Sequence, residues 1–475
     1  MNKNKGISSL VWDMTNLFSN QIVRFILSIY LARLLEPREF GVVGMAMVYI
    51  TISNLIMGFG FSASIVNKDS PKETELSTIF YLNLAFGLVF SVLGFFGSPY
   101  IGEFYGDELV GEVFQVLSLI IFLKSLSIVQ NALLIKAIDF KAISIIQMVV
   151  NIITAILGIF LAYLGYGVWS LVIMNITREF LYTVSVWMYS KWKPLFYFNL
   201  SIIKDYLNYG KNVFLSAMIT GLSNNLDTLL IGKFTNATSL GFYTRSRSFE
   251  ALINNFTGRS LGKVLFPIIS KEKDPVKIDK IYWSVFKKVV IIVFLLLGIL
   301  YSVGEELFIV LFTEKWRESI PIFKILIIGS FYQPLNAIFK SFIKGIGNSK
   351  MLLKSDILKT LLLLITFIPL FWGNITIFLW LFITHHFLAI IYNFFVIGKF
   401  SKVSFLKSIL FFLTIMVITF LTGLLIFYMG EYFSFGMFTG LFLKSLTFGF
   451  IFLLLIFIFF NEEVNEIKEI IKGII

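Results

Sequence analysis

Cysteine is absent from the 475 residues, and histidine occurs only as the adjacent pair His385-His386. The first absence excludes a disulfide framework, a thiolate nucleophile and a zinc knuckle. The second leaves any histidine relay or metal cluster resting on one dipeptide. Neighbours on a helix point about 100° apart, so the two rings cannot easily share one ligand. A structural or interfacial role is the expectation for the pair, with proton handling as the alternative. Charge is scarce too, at 14% of the chain, where a soluble domain carries about 25%. No P-loop occurs, so ATP hydrolysis by this chain is excluded. No DxD-like acidic cluster or carboxylate pair falls in a sizeable polar stretch, which argues against a glycosyltransferase or a hydrolase. The reading is not an enzyme, with no cofactor and no metal.

What is present is apolar. Hydrophobic residues make up 57% of the chain and the mean hydropathy is +0.87. They come in runs of about 20, long enough to cross the hydrocarbon of a bilayer. The expected fold class is an all-α polytopic membrane protein of about fourteen helices, near 8–34, 40–66, 77–102, 109–136, 140–164, 167–190, 210–233, 238–268, 282–304, 318–343, 350–372, 374–399, 405–429 and 436–460. Turn chemistry marks the breaks: Glu36-Pro37, Ser70-Pro71, Gly106-Asp107, Gly165-Tyr166-Gly167, Gly347-Asn348 and Gly373-Asn374. The basic start MNKNKGISSL is followed by no short apolar core with a cleavage site, so the first run reads as a retained span.

The net charge of +12 reads as topology rather than nucleic-acid binding, because the lysines sit in short loops between apolar runs. With the N-terminus in the cytoplasm, inside loops hold Lys3, Lys5, Lys68, Lys72, Lys136, Lys141, Lys191, Lys193, Lys271, Lys273, Lys344, Lys350, Lys399 and Lys402. Outside loops hold few cations and several acids, among them Glu103, Asp107, Glu108, Glu305, Glu306 and Glu314. The positive-inside rule then places both termini in the cytoplasm of an inner-membrane protein. The tail after Phe460 reads as an amphipathic surface helix.

The longest polar interruption, 191–209, divides the chain. Residues 1–190 form one six-helix lobe, 191–209 an interfacial cytoplasmic linker, 210–400 a second six-helix lobe, 401–460 two further helices and 461–475 the tail. The lobes echo each other at an offset near 200 residues: Phe40-Gly41 falls over Leu240-Gly241, and Lys141 over Lys350. A parallel repeat of this kind implies two bundles forming a V around a cavity.

Charges at bilayer depth are costly, so they face a partner or a cavity. Arg24, Lys124, Arg178, Glu179, Asp227, Arg245, Arg247, Glu250, Arg259, Lys263, Lys324, Lys340, Lys359 and Lys444 qualify. In the eighth helix Arg245, Phe249, Leu252, Phe256, Arg259 and Lys263 share one face, and Arg247 and Glu250 can neutralise each other. Asp227 and Arg245 flank the turn at Asn236 almost symmetrically, at roughly 13 Å depth, and are expected to form an intramembrane ion pair. That pair either fixes the hairpin or is released when substrate or a cation binds. The expected substrate-binding residues are Arg24, Asp227, Arg245, Arg247 and Arg259. Asp227 or Glu250 is the expected site of a coupling ion, H⁺ or Na⁺.

Several motifs resemble one family. Ala32-Arg33-Leu34-Leu35 with Pro37, Glu39, Phe40 and Gly41, then Gly165-Tyr166-Gly167-Val168-Trp169-Ser170-Leu171, are similar to the bacterial polysaccharide exporters of the Wzx type. So are Asp227-Thr228-Leu229-Leu230-Ile231-Gly232, Leu240-Gly241-Phe242-Tyr243-Thr244-Arg245 and Phe266-Pro267. The likeness covers roughly 8–400 and is nearest the teichuronic- and colanic-acid exporter branch. It implies the multidrug/oligosaccharidyl-lipid/polysaccharide flippase superfamily, a MATE-like alternating-access fold, and an undecaprenyl-diphosphate-linked oligosaccharide as substrate. Membrane lipids, a polysaccharide polymerase and glycosyltransferases are the expected partners. Of the candidate residues only Asp227 and Arg245 fall on the family's motifs. A cation-coupled drug exporter and a lipid II flippase of the same fold are the competing readings.

Overall fold

The computed structural model describes residues 21, 23, 25–58, 61–68, 70–254, 260–433 and 435–460, and these are helical with short connections. Arg24, Arg259 and the expected surface tail at 461–475 lie outside the described residues. The chain divides into two compact units, Met1–Thr244 and Arg245–Ile475.

The first unit runs through α1 (Phe25–Leu34), α2 (Pro37–Gly58), α3 (Phe61–Asn67) and α4 (Glu73–Tyr105). It continues with α5 (Glu108–Leu117), α6 (Leu119–Ser125), α7 (Ile128–Lys136), α8 (Phe140–Tyr163), α9 (Val168–Tyr189) and α10 (Ile203–Phe234), and closes on the start of α11 (Ala237–Asn254). Local chemistry sets the ends. Asp107 and Asp139 accept from the backbone N–H of Leu109 and Ala142, and Gly106 closes α4 at φ +69°, a region open to glycine.

The expected fourth span is broken into α5, α6 and α7, with a bend of 45° at the last break. Ser118, Ser125 and Ser127 donate back to the carbonyls of Gln115, Phe122 and Lys124, which competes with the helical ladder and bends it. The linker also differs from expectation. It is irregular from 190 to 199, passes one 3-10 turn at Leu200–Ile202, and is helical from Ile203. Ile203 and Tyr206, three apart, bury against Phe61, Ile65, Ile79 and Phe80, and that burial pulls a polar stretch into helix.

Helices α2 and α11 cross on glycines. A Cβ on Gly41 would lie 1.7 Å from the carbonyl oxygen of Ala237, and a Cβ on Gly241 would lie 1.9 Å from that of Pro37. Gly41 and Gly241 are 200 residues apart, as are Pro37 and Ala237. The contact is therefore reciprocal, each residue meeting the counterpart of its partner 200 residues away.

The second unit holds the rest of α11, then α12 (Ser260–Lys271), α13 (Pro275–Ser302), α14 (Gly304–Phe312), α15 (Ser319–Gly329) and α16 (Tyr332–Gly345). It ends with α17 (Ser349–Thr366), α18 (Ile375–Phe400), α19 (Phe405–Tyr432) and α20 (Met437–Phe459). The eighth expected span is described as two helices, α11 and α12. The loop expected after the ninth span instead folds as α14 and a 3-10 turn at Glu314–Trp316, because Phe308, Phe312 and Trp316 are fully buried. α19 and α20 pack on α13. Lys444 of α20 forms an ion pair with Glu306 of α14, and the bare Cα of Gly298 makes room for Phe448.

Among the described residues, eight helices are long and apolar enough to cross a membrane, and a ninth if the bent segment is one span. Large apolar side chains point outward from them, Phe96, Phe160, Phe420 and Phe450 among others. Outward apolar faces around a buried interior are what lipid selects. The molecule is a multi-pass, all-α membrane protein.

Candidate functional site

The α10–α11 hairpin turns at Asn236, whose side chain accepts from the N–H of Ser239 at 2.8 Å. Sixteen residues separate Asp227 on α10 from Tyr243 on α11, and both are buried. The Tyr243 hydroxyl donates to Asp227 Oδ2 at 2.6 Å, and the N–H of Thr228 donates to Oδ1 at 2.7 Å. An anionic acceptor on a phenol is a strong bond in a dry site. It clamps α10 to α11. Charge counting alone did not single out Tyr243.

Arg245 opens the second unit and is 6% exposed. Its guanidinium carbon stands 5.0 Å from the ring centroid of Phe312 and 5.0 Å from that of Trp316. One turn on, Phe249 meets Phe323 at 5.0 Å and Phe308 at 5.4 Å. The face expected to carry a ladder of cations thus enters an aromatic cluster, where cation–π contact replaces water. Ser246 donates to the carbonyl of Ser319 at 2.9 Å. Arg247 is half-buried and Glu250 buried.

A second polar centre lies where α16, α17 and α18 meet. Lys359 is 4% exposed. Its ammonium donates to Asn336 Oδ1 at 2.9 Å and to Asn393 Oδ1 at 3.3 Å, and lies 3.6 Å from Asp356 Oδ1. The other oxygen of Asp356 accepts from Lys340 at 3.0 Å. The Lys359 ammonium also sits 4.6 Å from the centroid of Phe339. His385 Nε2 is 2.9 Å from the carbonyl of Lys359, and His386 Nδ1 is 3.0 Å from that of Gly329. The two histidines therefore anchor to different helices. His386 stacks on Tyr332 with centroids 4.5 Å apart. Lys340 and Lys359 were visible as intramembrane charges. Asn336, Asp356 and Asn393 were missed, although Asp356 and Lys359 stand three apart on one helix face.

Ion pairs and cation–carbonyl contacts tie the helix ends of the first unit. At one end Lys68 pairs with Glu75 at 2.8 Å, Tyr206 donates to the same carboxylate at 2.9 Å, and Lys136 donates to the carbonyl of Ile65 at 3.2 Å, at the close of α3. At the other, Arg38 pairs with Asp107 at 2.8 Å and Lys233 donates to the carbonyl of Phe104. Among the described residues no three His, Asp or Glu side chains gather as metal ligands.

Residues 30–321 match the family described as "Polysaccharide biosynthesis protein". The teichuronic acid biosynthesis protein TuaB of Bacillus subtilis is 27% identical over 314 residues, covering 65% of this chain and 64% of that protein. The succinoglycan biosynthesis transport protein ExoT of Rhizobium meliloti is 21% identical over 343 residues, covering 72% and 69%. The lipopolysaccharide biosynthesis protein WzxC of Escherichia coli is 24% identical over 347 residues, covering 71% and 69%. The chain thus spans about two thirds of the length of the curated relatives it matches. Among solved structures, an inward-facing MATE-family multidrug transporter of the MOP superfamily superposes with TM-score 0.62 at 15% identity, over 81% of this chain and 96% of that one. A MOP-superfamily transporter of Pyrococcus furiosus, described as having a binding pocket of reverse polarity, gives 0.52 at 15% identity, over 82% and 94%. The fold is that of the MATE transporters, and the match across 30–321 places this chain in the polysaccharide biosynthesis protein family.

Proposed function

We propose that the chain is a flippase that turns an undecaprenyl-diphosphate-linked oligosaccharide from the cytoplasmic to the outer leaflet of the bacterial inner membrane, by alternating access through a cationic path. The family match carries the reading: it covers the segment that holds Asp227 and Arg245, and three relatives are named for the synthesis or transport of bacterial polysaccharides. The arginines expected at bilayer depth, Arg24, Arg245, Arg247 and Arg259, suit a diphosphate and uronic acids better than they suit a cationic drug. In this reading Arg24, Arg247 and Arg259 contact the anionic headgroup. Asp227 and Arg245 hold each other as an intramembrane pair that substrate loosens, with Tyr243 and the Phe312–Trp316 faces as their resting supports. Both termini lie in the cytoplasm, and the polymerase and glycosyltransferases of the same polymer work beside the transporter.

The test is deletion of the gene followed by assay of lipid-linked intermediates. Repeat units facing the cytoplasm accumulate if the reading holds; unchanged intermediates with normal polymer overturn it. Accumulation of the lipid-linked peptidoglycan precursor instead assigns the chain to that substrate. Arg247→Ala at wild-type protein level is expected to lower export about ten- to a hundred-fold, through loss of a charge-assisted contact worth about 1.5–3 kcal/mol.

A further inference from the structure

The centre at α16, α17 and α18 has a charge count that the flippase reading does not use. One carboxylate, Asp356, serves two lysines, and its nearer partner is Lys340, at 3.0 Å against 3.6 Å for Lys359. With both lysines protonated the trio carries one net positive charge, placed on a residue 4% exposed. With Lys359 neutral the trio carries none. A buried charge needs full compensation, and half a carboxylate is not that.

We propose that the Lys359 amine, held between Asn336 and Asn393, is a proton-binding site whose occupancy sets how α17 packs on α16 and α18. Both protonation states fit the site. The ammonium has three N–H donors, of which two go to Asn336 Oδ1 and Asn393 Oδ1, while its charge stands 3.6 Å from Asp356 Oδ1. The neutral amine keeps two N–H donors, one for Asn336 Oδ1 and one for Asn393 Oδ1, and leaves in place the bond from Asn393 Nδ2 to Asn336 Oδ1 at 3.2 Å. The proton has a route. It leaves Nζ for the Asp356 carboxylate, which lies three residues, about 4.5 Å along the helix axis, nearer the end marked by Lys344 and Lys350. Asp356 and Lys340 are each 38% exposed, and the proton passes from that carboxylate to water and returns the same way. No other bond changes.

The groups facing the centre come from every helix around it. Lys340 and Tyr332 belong to α16, Asp356 to α17, and His385 and His386 to α18, while Arg247 of α11 lies within electrostatic reach of His386. His385 Nε2 donates to the Lys359 carbonyl, so Nδ1 carries the lone pair. That Nδ1 and the Ser355 hydroxyl oxygen are buried and find no hydrogen-bond partner among the described residues, which is spare polar capacity beside the lysine.

The test uses the full chain in lipid nanodiscs, with no substrate. Difference titration across the range in which amines titrate is expected to release one proton more per chain from wild type than from Lys359→Met. Hydrogen-exchange protection in α17, after correction for the intrinsic pH dependence of amide exchange, is expected to change with pH in wild type and to lose that change in Lys359→Arg, which stays charged. Asn336→Asp adds a second carboxylate and is expected to move the release to higher pH by about one to three units. Equal proton release from wild type and Lys359→Met overturns the proposal, as does an unshifted release in Asn336→Asp or a wild-type pH profile in Lys359→Arg. If Lys359→Met does not fold, the other two variants decide. None of these readouts needs an oligosaccharide, so failure of the flippase reading leaves them standing.

Discussion

At the residue scale, uncharged groups help to hold the buried charges Asp227 and Arg245. Asp227 takes the Tyr243 hydroxyl at 2.6 Å, and Arg245 lies between the rings of Phe312 and Trp316. Tyr243→Phe deletes only an oxygen, yet it removes a bond to a carboxylate worth about 1.5–3 kcal/mol. The expected outcome is a lower midpoint of heat-induced unfolding in detergent, with helix content unchanged. Asp227→Asn keeps an acceptor for the phenol, so it is expected to lose less stability than Tyr243→Phe; the reverse order would show that the charge, and not the hydrogen bond, holds the hairpin. Arg245→Lys keeps the charge and loses the planar group that stacks on rings. It is expected to destabilise by about 1 kcal/mol, read from the same unfolding midpoint.

At the scale of elements, the crossing of α2 and α11 depends on the absence of two β-carbons. Gly41 and Gly241 each stand where a Cβ would overlap a backbone carbonyl of the other helix, and backbone has no rotamer with which to yield. Small residues permit this approach between helices in lipid. Gly41→Val and Gly241→Val are each expected to cost several kcal/mol through overpacking and to cut the yield of monodisperse protein. Because the contact is reciprocal, the two single variants are expected to suffer alike, as size-exclusion profiles would report. Much of this was legible beforehand: Phe40-Gly41 and Leu240-Gly241 stood out as a repeat at the correct offset. That the two copies touch each other was not legible, since a repeat in sequence says nothing of where its copies meet. Likewise the bend between α6 and α7 was hidden, because serines that bond back to their own helix look like ordinary polar residues in an apolar run.

At the scale of the whole molecule, the lysine-rich and acid-bearing ends make orientation testable. The chain lacks cysteine, so any single cysteine is a unique label. Lys72→Cys is expected to react with a membrane-impermeant maleimide only after the cells are opened, and Glu103→Cys from outside intact cells. Reaction of both from the same side would refute the proposed topology.

The sequence by itself determined the solvent of this protein and the placing of most helix ends, and it carried the correspondence of Gly41 with Gly241 and the lysines of the short loops. Each of these is local or periodic: transfer of an apolar run into lipid, a proline or glycine at a turn, a lysine in a short loop. Only the tertiary structure decided which polar groups meet. Lys359 draws its partners from positions 336 and 393, and Arg245 draws its aromatic faces from 312 and 316. Such partners lie on other helices, and a buried polar group is satisfied by whatever packing brings within about 3 Å, a distance that spacing along the chain does not encode.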